Sequence, residues 1–299
     1  MDYAFNIENF TKIISADVVP DGADGLSFSL GETDFTIKKP YIDLDGEEMG
    51  NSIYIDNNDG LLLSMRITQN YLFVHYCDNK NYNFKQLYQD SPKEIISFAN
   101  FCWKKVVEEM QNPDLGKDPF ELLFKGHEMP HELKLLKQFQ DDFGYYYADG
   151  FMLRAEDKSP ASSWSDNPDF LGHLIPFATA NGSGSFYAIW NDGTSRKLGE
   201  MPVIVFGDEG GVHIVAESTL QLMHLLTYDA EITVDFDQTY FYKSDEYYQE
   251  SDDHVEDTSW LKSNFNLDII ENPDSIVENA QEKYKELFDK WFEQYYSEQ

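Results

Sequence analysis

The part of the chain that decides its fold consists of two segments, LIPFATANGSGSFYAIW at residues 174–190 and MPVIVFGDEGGVHIVA at residues 201–216. Phe186–Trp190 is aromatic and branched, which suits a pleated, half-buried strand. Val203–Phe206 is continuously apolar, as in a strand that is covered on both faces. Between them, the Asn-Asp-Gly sequence at 191–193 tolerates positive φ and allows the chain to reverse. Together the two segments predict a small antiparallel sheet.

Two further strands and a helix extend this sheet. Leu174–Ala178 leads into it, and Val212–Val215 follows a turn at residues 208–211. Ser218 can accept backbone hydrogen bonds at the start of a helix over Thr219–Leu226. The glycine-rich segment at 181–185 lacks both the Gly-Lys-Ser/Thr ending and the spacing of a phosphate-binding loop. It is therefore predicted to be a tight turn.

The order of these parts resembles the SUKH superfamily, which includes a fungal regulator of cell-wall synthesis and many bacterial toxin-immunity proteins. The matching parts are Ile175-Pro176-Phe177-Ala178, Asn181-Gly182-Ser183-Gly184, Phe186-Tyr187 and Pro202-Val203-Ile204-Val205-Phe206. The family's opening helix has a counterpart that starts after Met129-Pro130 and ends near Phe143-Gly144. Where the family usually carries an aromatic residue followed by Asp, this chain has Phe206-Gly207-Asp208. The resemblance covers roughly residues 120–230 and implies a non-enzymatic protein-binding domain.

The composition is strongly acidic. The 299 residues include 22 Lys and Arg against 55 Asp and Glu, a formal net charge of −33. Such a surface repels nucleic acids and anionic membranes, because binding them requires cationic side chains. It attracts a basic partner and speeds the encounter with it. Alternatively, the acidity only maintains solubility.

The two cysteines and the N-terminus indicate a reducing compartment. Cys77 and Cys102 lie in apolar runs and are predicted to be core thiols. The first five residues have no basic region and no apolar core, so we expect no secretory signal. No stretch is apolar enough to span a bilayer. We therefore expect a cytoplasmic protein.

The chain is expected to form two domains of α+β class. Residues 1–112 predict a smaller α+β domain of unknown family, with hairpin and meander strands followed by a helix that Ser91-Pro92 begins. Residues 113–119 carry two prolines and a glycine and are predicted to be a linker. Residues 120–299 predict the SUKH-like domain, with a mixed, mainly antiparallel sheet flanked by helices.

Three features follow the SUKH-like block. Residues 232–242 alternate apolar and polar side chains, which predicts one half-buried strand. Residues 245–257 contain seven acidic residues and no Lys or Arg, which predicts a solvated loop or a docking element. Residues 273–297 have apolar positions at steps of three and four, which predicts an amphipathic helix that packs back onto a domain. An exposed partner-binding helix is the alternative.

The sequence contains no motif that predicts catalysis or cofactor binding. His127 and His131 are four residues apart, but Pro130 lies between them, so they are predicted to flank a helix start instead of binding a metal. His213 is predicted to be a hydrogen-bonded structural residue. No nucleophile motif is present, and carboxylate pairs carry little information among 55 acidic residues. We expect no enzyme activity, no cofactor and no metal.

Two dense clusters of aromatic residues beside Asp and Glu, within residues 143–147 and 240–257, are the candidate binding segments. Tyrosine supplies contact area and a hydrogen-bonding tip at little entropic cost. The alternative is that half of each cluster faces the core. The candidate partner-binding residues are Tyr145, Tyr146, Tyr147, Tyr242, Asp245, Glu246, Tyr247, Tyr248, Asp252 and Asp253.

The sequence is compatible with two functions. The first is an immunity-type protein that neutralises a basic, nuclease-like toxin domain. The second is a regulatory adaptor of the cell-wall-regulator type with several weak partners. The sequence predicts neither the partner nor the oligomeric state.

Overall fold

The chain divides into two units, Met1–Lys117 and Asp118–Gln299, and their boundary falls inside the segment 113–119. The structure is a computed structural model that describes residues 7–57, 61–68, 71–78, 83–87, 91–156, 158–243 and 248–296. Both units combine helices with antiparallel strand pairs, so the expected α+β class is confirmed.

Unit 1 is an antiparallel sheet with two helices. Its elements are α1 (Ile7–Ile14), β1 (Leu26–Leu30), β2 (Thr33–Lys38), β3 (Tyr41–Ile42), β4 (Glu48–Met49), β5 (Ser52–Asn57), β6 (Leu61–Thr68), β7 (Tyr71–Asp78), β8 (Lys85–Gln86) and α2 (Lys93–Glu109). The main sheet has the order β1-β2-β5-β6-β7-β8, and β3 pairs with β4 separately. The predicted hairpin and meander are confirmed.

The core of unit 1 is formed by one face of this sheet together with residues of α1 and α2. Phe35, Ile53 and Leu63 are fully buried and belong to the same cluster as Trp103. Cys77 and Cys102 are both buried and no disulfide joins them, as predicted for core thiols. The α2 helix begins at Lys93, directly after Pro92, where the sequence predicts a helix start.

Unit 2 is built on a five-stranded antiparallel sheet of order β13-β12-β11-β10-β9. Its elements are α3 (Pro119–Leu122), α4 (His131–Phe143), β9 (Met152–Leu153), α5 (Pro168–Gly172), β10 (Leu174–Thr179), β11 (Phe186–Trp190), β12 (Val203–Phe206), β13 (Val212–Ala216), α6 (Thr219–Leu226), β14 (Ile232–Val234), β15 (Thr239–Phe241), α7 (His254–Phe265) and α8 (Asp274–Phe292). Short 3₁₀ helices span Pro160–Ser163 and Leu198–Glu200. The four predicted strands and the helix after them are confirmed, and the Ser218 hydroxyl caps α6 by accepting from Gln221 N at 3.2 Å.

Both faces of the unit 2 sheet are covered. Alternate side chains such as Val203 and Val205 pack in one cluster with residues of α4, α6 and α7. Ile204 and Phe206 point the other way and pack with Phe288 and other residues of α8. All four residues of β12 are fully buried, as the continuous apolar run predicts.

The predicted packing of the C-terminal helix onto its domain is confirmed, with the helix ending at Phe292. Val277, Ala280, Tyr284 and Phe288 are buried at steps of three and four. Leu287, which the pattern placed on the same face, is 53% exposed. Residues 297–299 lie outside the described residues.

The predicted single strand over 232–242 is wrong. The structure has a hairpin, in which Ile232 faces Phe241 and Val234 faces Thr239. Asp235 N donates to Gln238 O at 2.9 Å and closes the turn. The alternation of apolar and polar residues runs into this turn as far as Asp237, and no Gly, Pro or Asn marks the turn, so the pattern concealed the reversal.

Candidate protein-interaction surface

The two candidate binding segments meet in the folded chain. Asp253 N donates to the carbonyl oxygen of Tyr146 at 3.0 Å. One residue along, the His254 ring nitrogen Nδ1 lies 3.4 Å from the carbonyl oxygen of Tyr147. The start of α7 is therefore held against the segment that follows α4, although more than 100 residues separate them in sequence.

A buried carboxylate, Asp229, fixes this junction. Its Oδ1 accepts from Asp149 N at 3.0 Å and from Ser251 Oγ at 2.6 Å. Its Oδ2 accepts from Ser251 N at 3.0 Å and from Tyr248 Oη at 2.7 Å. Burial opposes ionisation, but the hydrogen bonds from Ser251 and Tyr248 outweigh it and hold the pKa of Asp229 below its ordinary value. Asp229 is thus an anion that ties two segments of the chain together.

Two of the candidate tyrosines serve this internal structure. Tyr147 is fully buried, and its hydroxyl donates to Gln140 Oε1 at 3.0 Å. Its predicted role in partner binding is wrong, because a side chain without exposed area cannot contact a partner. The Tyr248 hydroxyl is committed to Asp229, and Lys243 Nζ lies 3.5 Å from its ring centroid. Tyr248 therefore holds the segment before α7 in place, and its ring is only half-buried.

The neighbouring aromatic side chains are exposed. Phe143 is 53%, Tyr145 48% and Tyr146 58% exposed. The Phe143 ring stacks on the buried Phe139 at 4.7 Å between centroids. The two tyrosine rings lie 4.5 Å apart, and the Tyr146 hydroxyl donates to Tyr145 Oη at 3.3 Å. This hydrogen bond and the charge of Asp252 both raise the pKa of Tyr146, the hydrogen bond more strongly.

We call this region the acidic-aromatic surface. Its members are the exposed side chains of Asp142, Phe143, Tyr145, Tyr146, Asp252 and Val255. Of the other candidates, Asp253 is half-buried and Tyr242 is 70% exposed after β15. Asp245, Glu246 and Tyr247 lie outside the described residues.

The end of the acidic segment is helical and partly buried, which corrects the predicted loop over 245–257. His254, Asp257 and Leu261 form the buried face of α7. Both carboxyl oxygens of Asp257 are buried without a hydrogen-bond partner among the described residues. Burial, and then the negative charge of Asp229, raise the pKa of Asp257 to about 8. Two of these three residues are polar, so no periodicity of apolar residues marks this helical face in the sequence.

The glycine-rich turn at 181–185 is closed by its own chain. Asn181 Oδ1 accepts from Ser185 N at 3.0 Å, and Glu231 Oε1 accepts from Gly182 N at 2.8 Å. The Ser183 and Ser185 hydroxyls both donate to Asp208 Oδ1 at 2.8 Å. A carboxylate already occupies the place where a bound phosphate would need donors, so the turn is no phosphate cradle.

The histidines have structural surroundings. His213 Nε2 lies 2.7 Å from the carbonyl oxygen of Asp235, as expected of a hydrogen-bonded structural residue. His131 is the first residue of α4, and His127 precedes the helix, as predicted. Within the described ranges, no group of three or more His, Cys, Asp or Glu side chains is arranged to hold a metal ion. In the same ranges, no helix has the length and apolarity that a membrane span requires.

Comparisons with protein-family models, with curated proteins and with solved structures find no match to this chain.

Proposed function

We propose that this protein is a cytoplasmic, non-enzymatic binding protein that captures a basic protein domain through its acidic-aromatic surface. An immunity protein that neutralises a nuclease-like toxin acts in this way. The observation that carries the proposal is the set of three exposed aromatic rings, Phe143, Tyr145 and Tyr146, beside exposed carboxylates. The resemblance of residues 120–230 to the SUKH superfamily agrees with such a role.

The exposed rings are held before any partner arrives. Phe143 stacks on a buried ring, and the backbone of Tyr146 is hydrogen-bonded to Asp253. Binding then costs little conformational entropy, which otherwise reduces affinity by about 0.5–1.5 kcal/mol for each ordered side chain. Tyrosine is enriched among the few interface residues whose truncation costs about 2 kcal/mol or more.

Charge directs the encounter with the partner. The charged members of the surface, Asp142 and Asp252, are both acidic, and the whole chain carries −33. A basic partner is therefore steered toward the surface, and its association rate falls as salt screens the field. A nucleic acid or an anionic membrane meets repulsion at the same place.

Affinity capture with the full chain tests the proposal, with captured proteins identified by mass spectrometry and their affinities measured by calorimetry. The expected result is one tightly bound basic protein. Its affinity for the double variant Tyr145→Ser/Tyr146→Ser should fall at least about tenfold. The matched control is Phe101→Ser, which removes a 53% exposed aromatic side chain from unit 1 and should leave the affinity unchanged.

Two outcomes contradict the proposal. A set of weakly bound proteins with no excess of positive charge favours the adaptor function instead. A basic partner whose affinity is equal for wild type and the double tyrosine variant removes the role of the acidic-aromatic surface.

A further inference from the structure

An aromatic groove lies elsewhere on unit 2, beside the turn between β12 and β13. One part, of about 460 Å³, is lined by Trp164, Phe236, Phe292 and Tyr296 among others. A second part, of about 610 Å³, shares Trp164, Phe236 and Tyr296 and continues to Asp208. The shared residues make the two parts one groove.

The Phe236 wall of the groove is held in place although its ring is 73% exposed. The turn that carries it is closed by the hydrogen bond from Asp235 N to Gln238 O and is anchored by His213 to Asp235 O. The Phe236 turn packs closely against the turn between β12 and β13, which has room for it only because residues 210 and 211 carry no side chain. A Cβ on Gly210 would lie 2.4 Å from the Phe236 ring, and one on Gly211 would lie 2.1 Å from Asp235 O.

The Trp164 wall is continuous with the core. The Trp164 ring lies 5.4 Å from the buried Phe206 ring, 6.2 Å from Phe292 and 5.4 Å from Tyr296, measured between centroids. Phe206 in turn stacks on Phe186 at 4.9 Å. The groove therefore has two aromatic walls whose positions are fixed by packing or by backbone hydrogen bonds.

The charged groups in the groove are acidic. Asp208, Glu209, Asp289 and Glu293 are the charged residues among its described lining. Hydrogen bonds from Ser185 and Ser183 lower the pKa of Asp208, so it is ionised at neutral pH. Asp289 is paired with Lys285 at 2.7 Å, and Asp208 Oδ1 already accepts from two serine hydroxyls. A cationic ligand would therefore meet the exposed carboxylates of Glu209 and Glu293.

We infer that this groove binds an arginine side chain of a basic protein. A guanidinium group is planar, stacks on aromatic faces and donates paired hydrogen bonds to carboxylates. Its three-carbon stem suits the apolar walls. An anionic ligand would face carboxylates, and a neutral apolar ligand would bury them without a partner. The inference rests on the proposed function for the origin of the arginine, but the groove can be tested by itself.

A peptide titration of the full chain tests it. The probe is acetyl-Gly-Arg-Gly-Arg-Gly-amide, followed by the NMR signal of the Trp164 indole, which is assigned by its loss in Trp164→Phe. The matched control peptide carries citrulline in place of arginine, which keeps the shape and removes the charge. We expect the arginine peptide to shift the Trp164 signal and the citrulline peptide to bind about tenfold more weakly.

Two variants locate the binding. Phe236→Ser removes an exposed ring and Glu209→Gln removes an exposed carboxylate, and each should weaken arginine-peptide binding severalfold. Phe101→Ser, which removes an exposed ring from unit 1 outside both surfaces, should leave it unchanged. Equal binding of the two peptides, or full affinity in Phe236→Ser, overturns the inference.

The two proposals can fail separately. If a basic protein is captured and Phe236→Ser binds it with wild-type affinity, the proposed function stands and the groove has no role in it. If the arginine peptide binds at the groove and no basic protein is captured, the groove stands as a site and the proposed function fails.

Discussion

Replacement of Asp257 by asparagine is expected to stabilise unit 2 increasingly as the pH rises from acidic to neutral. The carboxyl group is fully buried, and its two oxygens lack a hydrogen-bond partner among the described residues. Its pKa is raised to about 8 in the folded chain, by burial first and by Asp229 second. In the unfolded chain it returns to ~3.9.

The sign and size of the effect follow from proton linkage. Between these two pKa values the folded chain holds a proton at Asp257 that the unfolded chain has released. The free energy of unfolding therefore falls as pH rises through this window, by up to about 1.4 kcal/mol per pH unit for this group. The asparagine variant has no such proton. Its stability relative to wild type should rise by roughly 3 kcal/mol between about pH 5 and about pH 7.

Urea unfolding followed by tryptophan fluorescence measures this difference. Four of the five tryptophans, at positions 164, 190, 260 and 291, lie in unit 2, so the signal reports mainly on that unit. Trp260 lies on α7 itself, next to the changed position. The matched control is Asp252→Asn, which removes an exposed carboxylate from the same segment and should change stability by less than about 0.5 kcal/mol.

The comparison between variant and wild type removes the pH dependence that both chains share. A difference that is constant across the pH range would refute the reasoning, because Asp257 would then be ionised and solvated in the folded chain. A variant that is progressively less stable than wild type as pH rises would refute it as well.

Three other predictions concern the anchors of the two surfaces and the core. Asp229→Ala should lower the free energy of unfolding by about 3 kcal/mol or more, since it leaves the Asp149 and Ser251 amides without their acceptor, and hydrogen exchange at Ser251 should accelerate; unchanged exchange would contradict this. Gly210→Ala should displace Phe236 and weaken arginine-peptide binding, because its Cβ would clash with the Phe236 ring and because residue 210 has a positive φ of 116°. Retained binding in calorimetry would show that the close contact between residue 210 and Phe236 is not needed. Burial raises the pKa of Cys102 to about 12, so its thiol should react with a disulfide reagent only when the chain unfolds. Rapid labelling of Cys102 in the native chain, detected by mass spectrometry, would contradict its burial.

Four of the five strands in the sheet of unit 2 were predictable because each carries its own local signal, whereas the two-residue strand β9 was not predicted. β12 is apolar at every position, and Ser218 marks the start of α6 with a side chain that caps it. Such signals depend on neighbours along the chain and survive without knowledge of the fold. The helix α8 was predictable for the same reason, although the outward position of Leu287 was not.

The sites were less predictable because they depend on contacts between distant segments. Tyr145, Tyr146 and Tyr147 are consecutive and identical in type, yet only the last is buried, since its ring packs against Phe139 and Phe151. No local pattern distinguishes the three. Asp229 carries no signal at all in the sequence, because its four donors come from segments near positions 149 and 250.

Both surfaces share one physical arrangement, an exposed aromatic side chain on a backbone that a polar group anchors. Asp229 holds the segment at Ser251 that leads into Asp253, whose amide binds Tyr146. His213 holds the turn that presents Phe236. Loss of either anchor leaves the aromatic contact atoms unchanged but frees their backbone, so binding must then bear the entropic cost of ordering it. The affinity of a partner should therefore fall in Asp229→Ala even though Asp229 is too buried to touch it, and most of that loss should appear as less favourable binding entropy.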